Sequence, residues 1–177
     1  MTNLHSPYLD STSADHLSRL KLGKTLFKNQ LYKIGITDDQ HCITCKKEFN
    51  SEVTEDYKHA MFLCPAVMSI INDIKRIFFP TFTTNFDIAD ILLSVDQNKH
   101  KQDGWKDGWE IINLIWDLFQ VYIIKCHNKE LTPVSQAAIF EIKSQLNRIL
   151  KILPKSKLST ALHQQHIIYN ILVHSST

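Results

Sequence analysis

Glycine and proline are scarce, four and five residues in a chain of 177, and there is no low-complexity tract, so the chain as a whole does not read as disordered. Charge of one sign is missing too. Twenty Lys and Arg face 18 Asp and Glu, a formal net charge of +2, so composition by itself makes no case for nucleic acid, and any such case must come from where the charges sit. No window holds the run of about 18 apolar residues that a membrane span needs, because Asp117, Gln120 and Lys125 interrupt the most apolar stretch. Residues 1–15 carry neither a basic n-region nor an apolar h-region, so no signal peptide is expected. The chain reads as soluble and intracellular, nuclear or cytoplasmic, with no membrane partner. In such a reducing compartment four cysteines point to metal binding or burial rather than to disulfides.

What is present is helical periodicity. Residues 1–13 are polar and turn-rich and read as a tail. From Ala14 onward Leu17, Leu20, Leu22, Leu26, Phe27 and Leu31 suit a helix, with Ser13 as cap and Gly35 as stop. Gly23 in the middle costs about 1 kcal/mol relative to Ala, which leaves one broken helix and two short ones equally open. A helix capped by Thr54 would carry His59 towards Cys64, and Val67, Ile70, Ile71, Ile74, Ile77 and Phe78 space out another. Asn85 can cap a short helix over 86–95. The segment from Trp105 to Lys125 is apolar on too many sides to be half-exposed, so it is buried centrally or packs on a partner. Thr132-Pro133 can open a helix whose stripe is Ala138, Ile142, Leu146, Ile149 and Leu153, stopped by Pro154 and followed by a last helix over Leu158 to Val173. No stretch alternates with period two outside the cysteine region, where a tiny hairpin has room. The expectation is a mainly α chain: a tail (1–13), a basic helix with a metal knuckle (14–80), and a helical bundle (81–177).

The chemistry sits in Cys42-x2-Cys45-x13-His59-x4-Cys64. Two residues between the first cysteines let a tight turn aim both sulfurs at one point. Four residues between His59 and Cys64 let a helix-borne imidazole and a thiolate at the helix end close a second pair. Three thiolates and one imidazole fill a tetrahedral zinc shell without an open position, so the site is read as structural. Binding energy then becomes folding energy, on the order of 10 kcal/mol in small zinc modules. Cys42-x2-Cys45 alone would also suit a redox dithiol or two buried cysteines. The added His59 and Cys64 favour zinc. His41 is too close to Cys42 in sequence to share the ion. Cys126 reads as a core thiol and His127 as a surface histidine at a helix end.

Arg19, Lys21, Lys24, Lys28 and Lys33 lie in a segment with no Asp or Glu between them. Positions 21, 24 and 28 share a face of a continuous helix, and such a stripe either neutralises phosphates or is merely solvated. Tyr32 and Phe27 offer rings for base stacking, though rings at helical spacing more often pack inward. The pairs Asp87 with Asp90 and Asp103 with Asp107 are better read as helix starts and turns than as catalytic carboxylates, so the chain is read as no enzyme.

Residues 17–65 resemble the zinc-binding domain that follows the polymerase in non-LTR retrotransposon reverse transcriptases. Arg19 to Gly23 stands for its first basic segment, Leu31 to Gly35 for its Leu/basic/Gly helix end, and Cys42, Cys45, His59 and Cys64-Pro65 for its ligand pattern. Lys58 stands where the family carries an acidic residue before the histidine. The resemblance implies a retrotransposon-derived, zinc-binding module that contacts RNA or DNA through Arg19, Lys21, Lys24, Lys28 and Lys33. A polymerase's Tyr-x-Asp-Asp loop and an Arg/Lys-Pro-Asp endonuclease pattern are absent. The competing expectation is a zinc-stabilised protein-interaction module. The aromatic residues Trp105, Trp109, Trp116, Phe119 and Tyr122 would then pack on a polymerase or another protein through the C-terminal helices.

Overall fold

A helix that is apolar on all sides has to be surrounded, and the computed structural model of the protein puts such a helix at its centre. Helix α6 (Trp109–Asn128) buries Ile112, Leu114, Ile115, Trp116, Leu118 and Phe119 together with the run from Val121 to Ile124. Helices α1 (Ser11–Lys21), α5 (Ile88–Leu93) and α7 (Ser135–Ile152) pack against it, and α4 (Pro65–Phe78) packs on α7. Two shorter helices, α2 (Lys28–Lys33) and α3 (Ile43–Phe49), and a π-helical turn (His59–Leu63) lie between α1 and α4. The structure describes residues 8–80, 86–93 and 109–152. Among them the fold is mainly helical, as expected, and the hairpin is reduced to one antiparallel bridge between His41 and Thr54. No helix among them is long and apolar enough to cross a membrane. The expected helix over Leu158 to Val173, its Pro154 stop, the Asn85 cap and Trp105 lie outside the described residues.

The buried side chains of α1, the knuckle, α4, α6 and α7 form one cluster, with Leu17, Phe27, Met61, Ile70, Trp116 and Ile142 among its fully enclosed members. Trp116, Phe119 and Tyr122 of α6 are therefore consumed inside the chain. Trp116 meets Phe119 edge-on at 5.9 Å and packs at 5.7 Å against Phe79, so neither is left over for a partner.

Several helix ends differ from the expected ones, each because another group supplies the cap. Ser13 was expected to start the first helix, but Asp10 does. Its carboxylate accepts from the Ser13 N–H at 2.9 Å and from the Ser13 hydroxyl at 2.9 Å, while Ser13 itself is buried. Gly23, at φ 67°, ends α1, with the Lys24 N–H on the Arg19 carbonyl and the Gly23 N–H on the Leu20 carbonyl. This six-to-one, five-to-two pair is a Schellman cap, and it needs a left-handed residue. Gly35, at φ 71°, repeats it for α2. Two short helices thus replace one. Helix α7 begins at Ser135 rather than at Thr132-Pro133, because the Tyr122 hydroxyl takes the Val134 N–H at 3.0 Å. Asp87 and Asp90 exchange side-chain to backbone hydrogen bonds at 2.8 and 2.9 Å around the start of α5, the arrangement of a helix start.

Candidate metal centre

Each of the four side chains is aimed by its own local structure. Cys42 is extended, its N–H held at 2.8 Å by the Val53 carbonyl, and it is the residue before α3. Cys45 then falls in the first turn of α3, so both sulfurs face the same side. Asn50, in the left-handed region at φ 46°, closes α3 and lets the Ser51 N–H reach the Cys45 carbonyl at 3.0 Å. The chain returns through the His41 to Thr54 bridge, and Asp56 accepts the His59 N–H at 2.8 Å. Asp56, not Thr54, is thus the cap that delivers the histidine. An acidic side chain three residues ahead of His59 was the sequence signal for it.

From His59 to Leu63 the helix is wound as a π turn, with the Cys64 N–H on the His59 carbonyl at 2.8 Å. In an α-helix residues five apart point about 140° away from each other. The wider i to i+5 turn brings His59 and Cys64 to one side, which an ordinary helix could not do with four residues between them. Cys64 leaves the turn extended, and Pro65 starts α4 in the first-turn position that suits proline.

The four ligand atoms of Cys42, Cys45, His59 and Cys64 lie within 4.8 Å of one another, and all four residues are buried. Cys45 Sγ stands 3.3 Å from His59 Nε2 and 3.9 Å from Cys64 Sγ. A tetrahedral ion with bonds of about 2.0 to 2.3 Å sets ligand atoms roughly 3.5 to 4 Å apart, so this cluster can hold a metal ion with little adjustment. Without a cation the electrostatics are uneasy. A hydrogen bond with Cys64, together with burial, pushes the Cys42 thiol up, and burial does the same for Cys45. Cys64 is lowered, chiefly because the Cys42 thiol bonds to its sulfur. One thiolate is thus favoured and the others are resisted, a balance that a divalent ion would reverse by binding all three in deprotonated form. His41 is engaged elsewhere. Its Nδ1 meets Asp39 at 2.8 Å, and Asp39 also takes the Lys46 ammonium at 2.8 Å. These partners hold the Asp39 carboxyl well below the usual carboxylate range, the Lys46 bond first among them.

Cys126 is a buried thiol on α6, raised by that burial, and stands apart from the four-residue cluster. His127 is not at the surface as expected. Its side chain is 12% exposed, with Nδ1 at 3.1 Å from the buried Glu55 carboxylate and its ring 5.0 Å from that of Phe27. Glu55 also accepts the Lys28 N–H at 3.3 Å, so α2, the knuckle strand and the end of α6 share one polar joint.

The five basic residues do not share one helix face. Lys21 lies on the side of α1 that carries the buried Leu17, and its ammonium bonds Asp117 at 2.9 Å with side-chain exposures of 4% and 5%. Lys28 is largely covered and faces Glu130 at 3.3 Å. Arg19 is exposed and pairs along the helix with Asp15 at 2.9 Å, while Lys24 and Lys33 are exposed. Phe27 is buried against Tyr57 and cannot stack on a base, whereas Tyr32 is 47% exposed. Compared with protein-family models, with curated proteins and with solved structures, the chain finds no match.

Proposed function

We propose that the chain is a zinc-organised, non-catalytic module that contacts RNA or DNA through the segment carrying Arg19, Lys24 and Lys33. The observation that carries this reading is the convergence of three buried sulfurs and one imidazole nitrogen within 4.8 Å. Three soft thiolates and an imidazole in a closed, buried shell select zinc over harder cations and leave no site for a reacting water. The resemblance to the post-polymerase domain of non-LTR retrotransposon reverse transcriptases supplies the nucleic acid. Lys21 and Lys28 drop out of that contact, because Lys21 is held in a buried ion pair with Asp117 and Lys28 is largely covered and faces Glu130. Metal analysis of protein purified under reducing conditions should find one zinc per chain. Fluorescence anisotropy with labelled RNA and DNA should show affinity falling with salt, with a log–log slope of roughly −0.7 to −0.9 per phosphate contact. Changing Arg19, Lys24 and Lys33 together to Gln should flatten that slope with the zinc retained; unchanged binding would refute the assignment of the contact.

A second reading, a zinc-stabilised protein-interaction module, draws on the apolar side chains beside those cations. Leu22, Leu26, Ile34 and Ile36 are 54%, 43%, 59% and 68% exposed. Four such residues around two short helices suit a protein surface as well as a nucleic acid one. Association that is indifferent to salt and lost on changing Ile34 and Ile36 to Ser would favour it.

A further inference from the structure

Helices α4 and α7 line a groove of about 860 Å³. Its rim is basic: Arg76 comes from α4, and Lys143, Arg148 and Lys151 come from α7. Asp73 is the acidic residue among its lining side chains. That carboxylate is already engaged by the Ser135 hydroxyl and by Arg76 at 2.7 Å, which hold it below the usual range. Lys143 and Lys151 have no ion-pair partner among the described residues, and Arg148 reaches Asp10 only at 4.0 Å. Within the groove stands Phe140, 75% exposed, more than any other large apolar side chain described.

We propose that this groove binds single-stranded nucleic acid, a second contact surface separate from the α1–α2 segment. It rests on the reading of the chain as a nucleic-acid-contacting module. Residues 140, 143, 147 and 151 recur at helical spacing, so a ring, a cation, an amide and a second cation follow each other along about 16 Å of one face of α7. A base stacks on the Phe140 ring, and the phosphodiester backbone runs along the cations. The excess of cations over Asp73 excludes a basic partner, and a paired helix hides the ring faces that Phe140 would stack on. An acidic peptide shares the charge but offers no flat face to the ring.

The test uses the full chain in its zinc-loaded form, with labelled oligouridine, oligothymidine, a duplex of the same length and polyglutamate as probes. Phe140→Ala should weaken binding to both single strands about tenfold. Lys143→Gln with Lys151→Gln should reduce the log–log salt slope by about 1.4. Neither set should alter zinc content. A preference for oligouridine over oligothymidine would identify RNA as the preferred strand. Equal binding would leave stacking and phosphate contacts as the whole interaction, still on this groove. If all groove variants bind as the parent does while the Arg19, Lys24 and Lys33 variant does not, the groove assignment is overturned and the proposed function survives. If the parent binds no nucleic acid at low salt, both fail. Tighter binding of polyglutamate than of either single strand, unaffected by Phe140→Ala, would make the groove a peptide site and overturn the proposal.

Discussion

The knuckle and the helical body are held by different forces. Between Gln40 and Asp56 the buried residues are Cys42, Thr44, Cys45 and Glu55, so almost the only apolar atoms this stretch encloses are the two sulfur-bearing side chains themselves. In α6, by contrast, Ile112, Ile115 and Phe119 are fully enclosed within a helix buried along most of its length. Each fully buried side chain of that kind contributes about 1.5 to 3 kcal/mol, and the knuckle has no comparable source. A segment of this sort stays folded when its sulfurs are joined by something, whereas the body needs only its own side chains. The difference teaches where a metal would matter: it organises one segment on a body that burial already holds.

The largest expected effect follows from removing the metal. Chelation, or Cys45→Ser, removes a binding energy on the order of 10 kcal/mol. Amide hydrogen exchange should then become fast over Cys42 to Asn50 while the amides of α6 and α7 keep their protection. The comparison breaks if α6 loses protection together with the knuckle. It breaks equally if the knuckle stays protected without metal, since His59 and Cys64 would then be held by Met61 and Phe62 alone.

The two regions were also unequally legible. The four-residue cluster could be read from spacing, because a metal site asks for a short interval within each pair. Central burial of α6 could be read from its unbroken apolar character, though burial inside the chain and packing on a partner remained alternatives until the structure chose the first. The π turn at His59 could not be read, since nothing in His-Ala-Met-Phe-Leu distinguishes it from an α turn; the need to point residues five apart the same way was the physical hint. The basic stripe failed for a definite reason. Helical phase carries across a segment only while the helix continues, and Gly23 resets it. The partner that then captures Lys21, Asp117, lies 96 residues further along the chain. His127 was misplaced for the same kind of reason, its partners Glu55 and Phe27 being remote in sequence.

The next effect in size comes from that capture. Lys21 and Asp117 join α1 to the central helix through an ion pair almost closed to solvent. Removing one partner of a buried pair leaves the other charge without its counter-ion, and Lys21→Met should therefore destabilise the body in urea unfolding, by up to about 3 to 5 kcal/mol. Lys24→Gln, three residues away and exposed, should shift stability by no more than about 0.5 kcal/mol. Zinc content should be unchanged in both. Equal, small effects would mean that Lys21 is solvated after all, which would restore it to the face that meets phosphate.

The smallest effect separates the regions by pH. Asp10 caps α1, and the Ser13 N–H bonded to its carboxylate is the main cause that lowers it below its ordinary value. A carboxyl depressed in the folded state adds stability above its unfolded value and loses it as pH falls through the folded one. Asp10→Ala should thus cost about 1 kcal/mol at neutral pH, a typical loss for a helix cap, and the deficit should shrink below about pH 4. Asp10→Asn keeps the accepting oxygen without the charge and should remain near the parent at neutral pH. The metal centre is expected to fail earlier in the same titration, because each thiolate that binds a metal ion has to be won from a proton. Monitoring zinc release alongside urea midpoints should therefore show the knuckle lost first, with the Asp10 cap still contributing. If the deficit of Asp10→Ala vanishes in step with zinc release, α1 depends on the knuckle rather than on α6, and the division between a metal-held segment and a burial-held body does not stand.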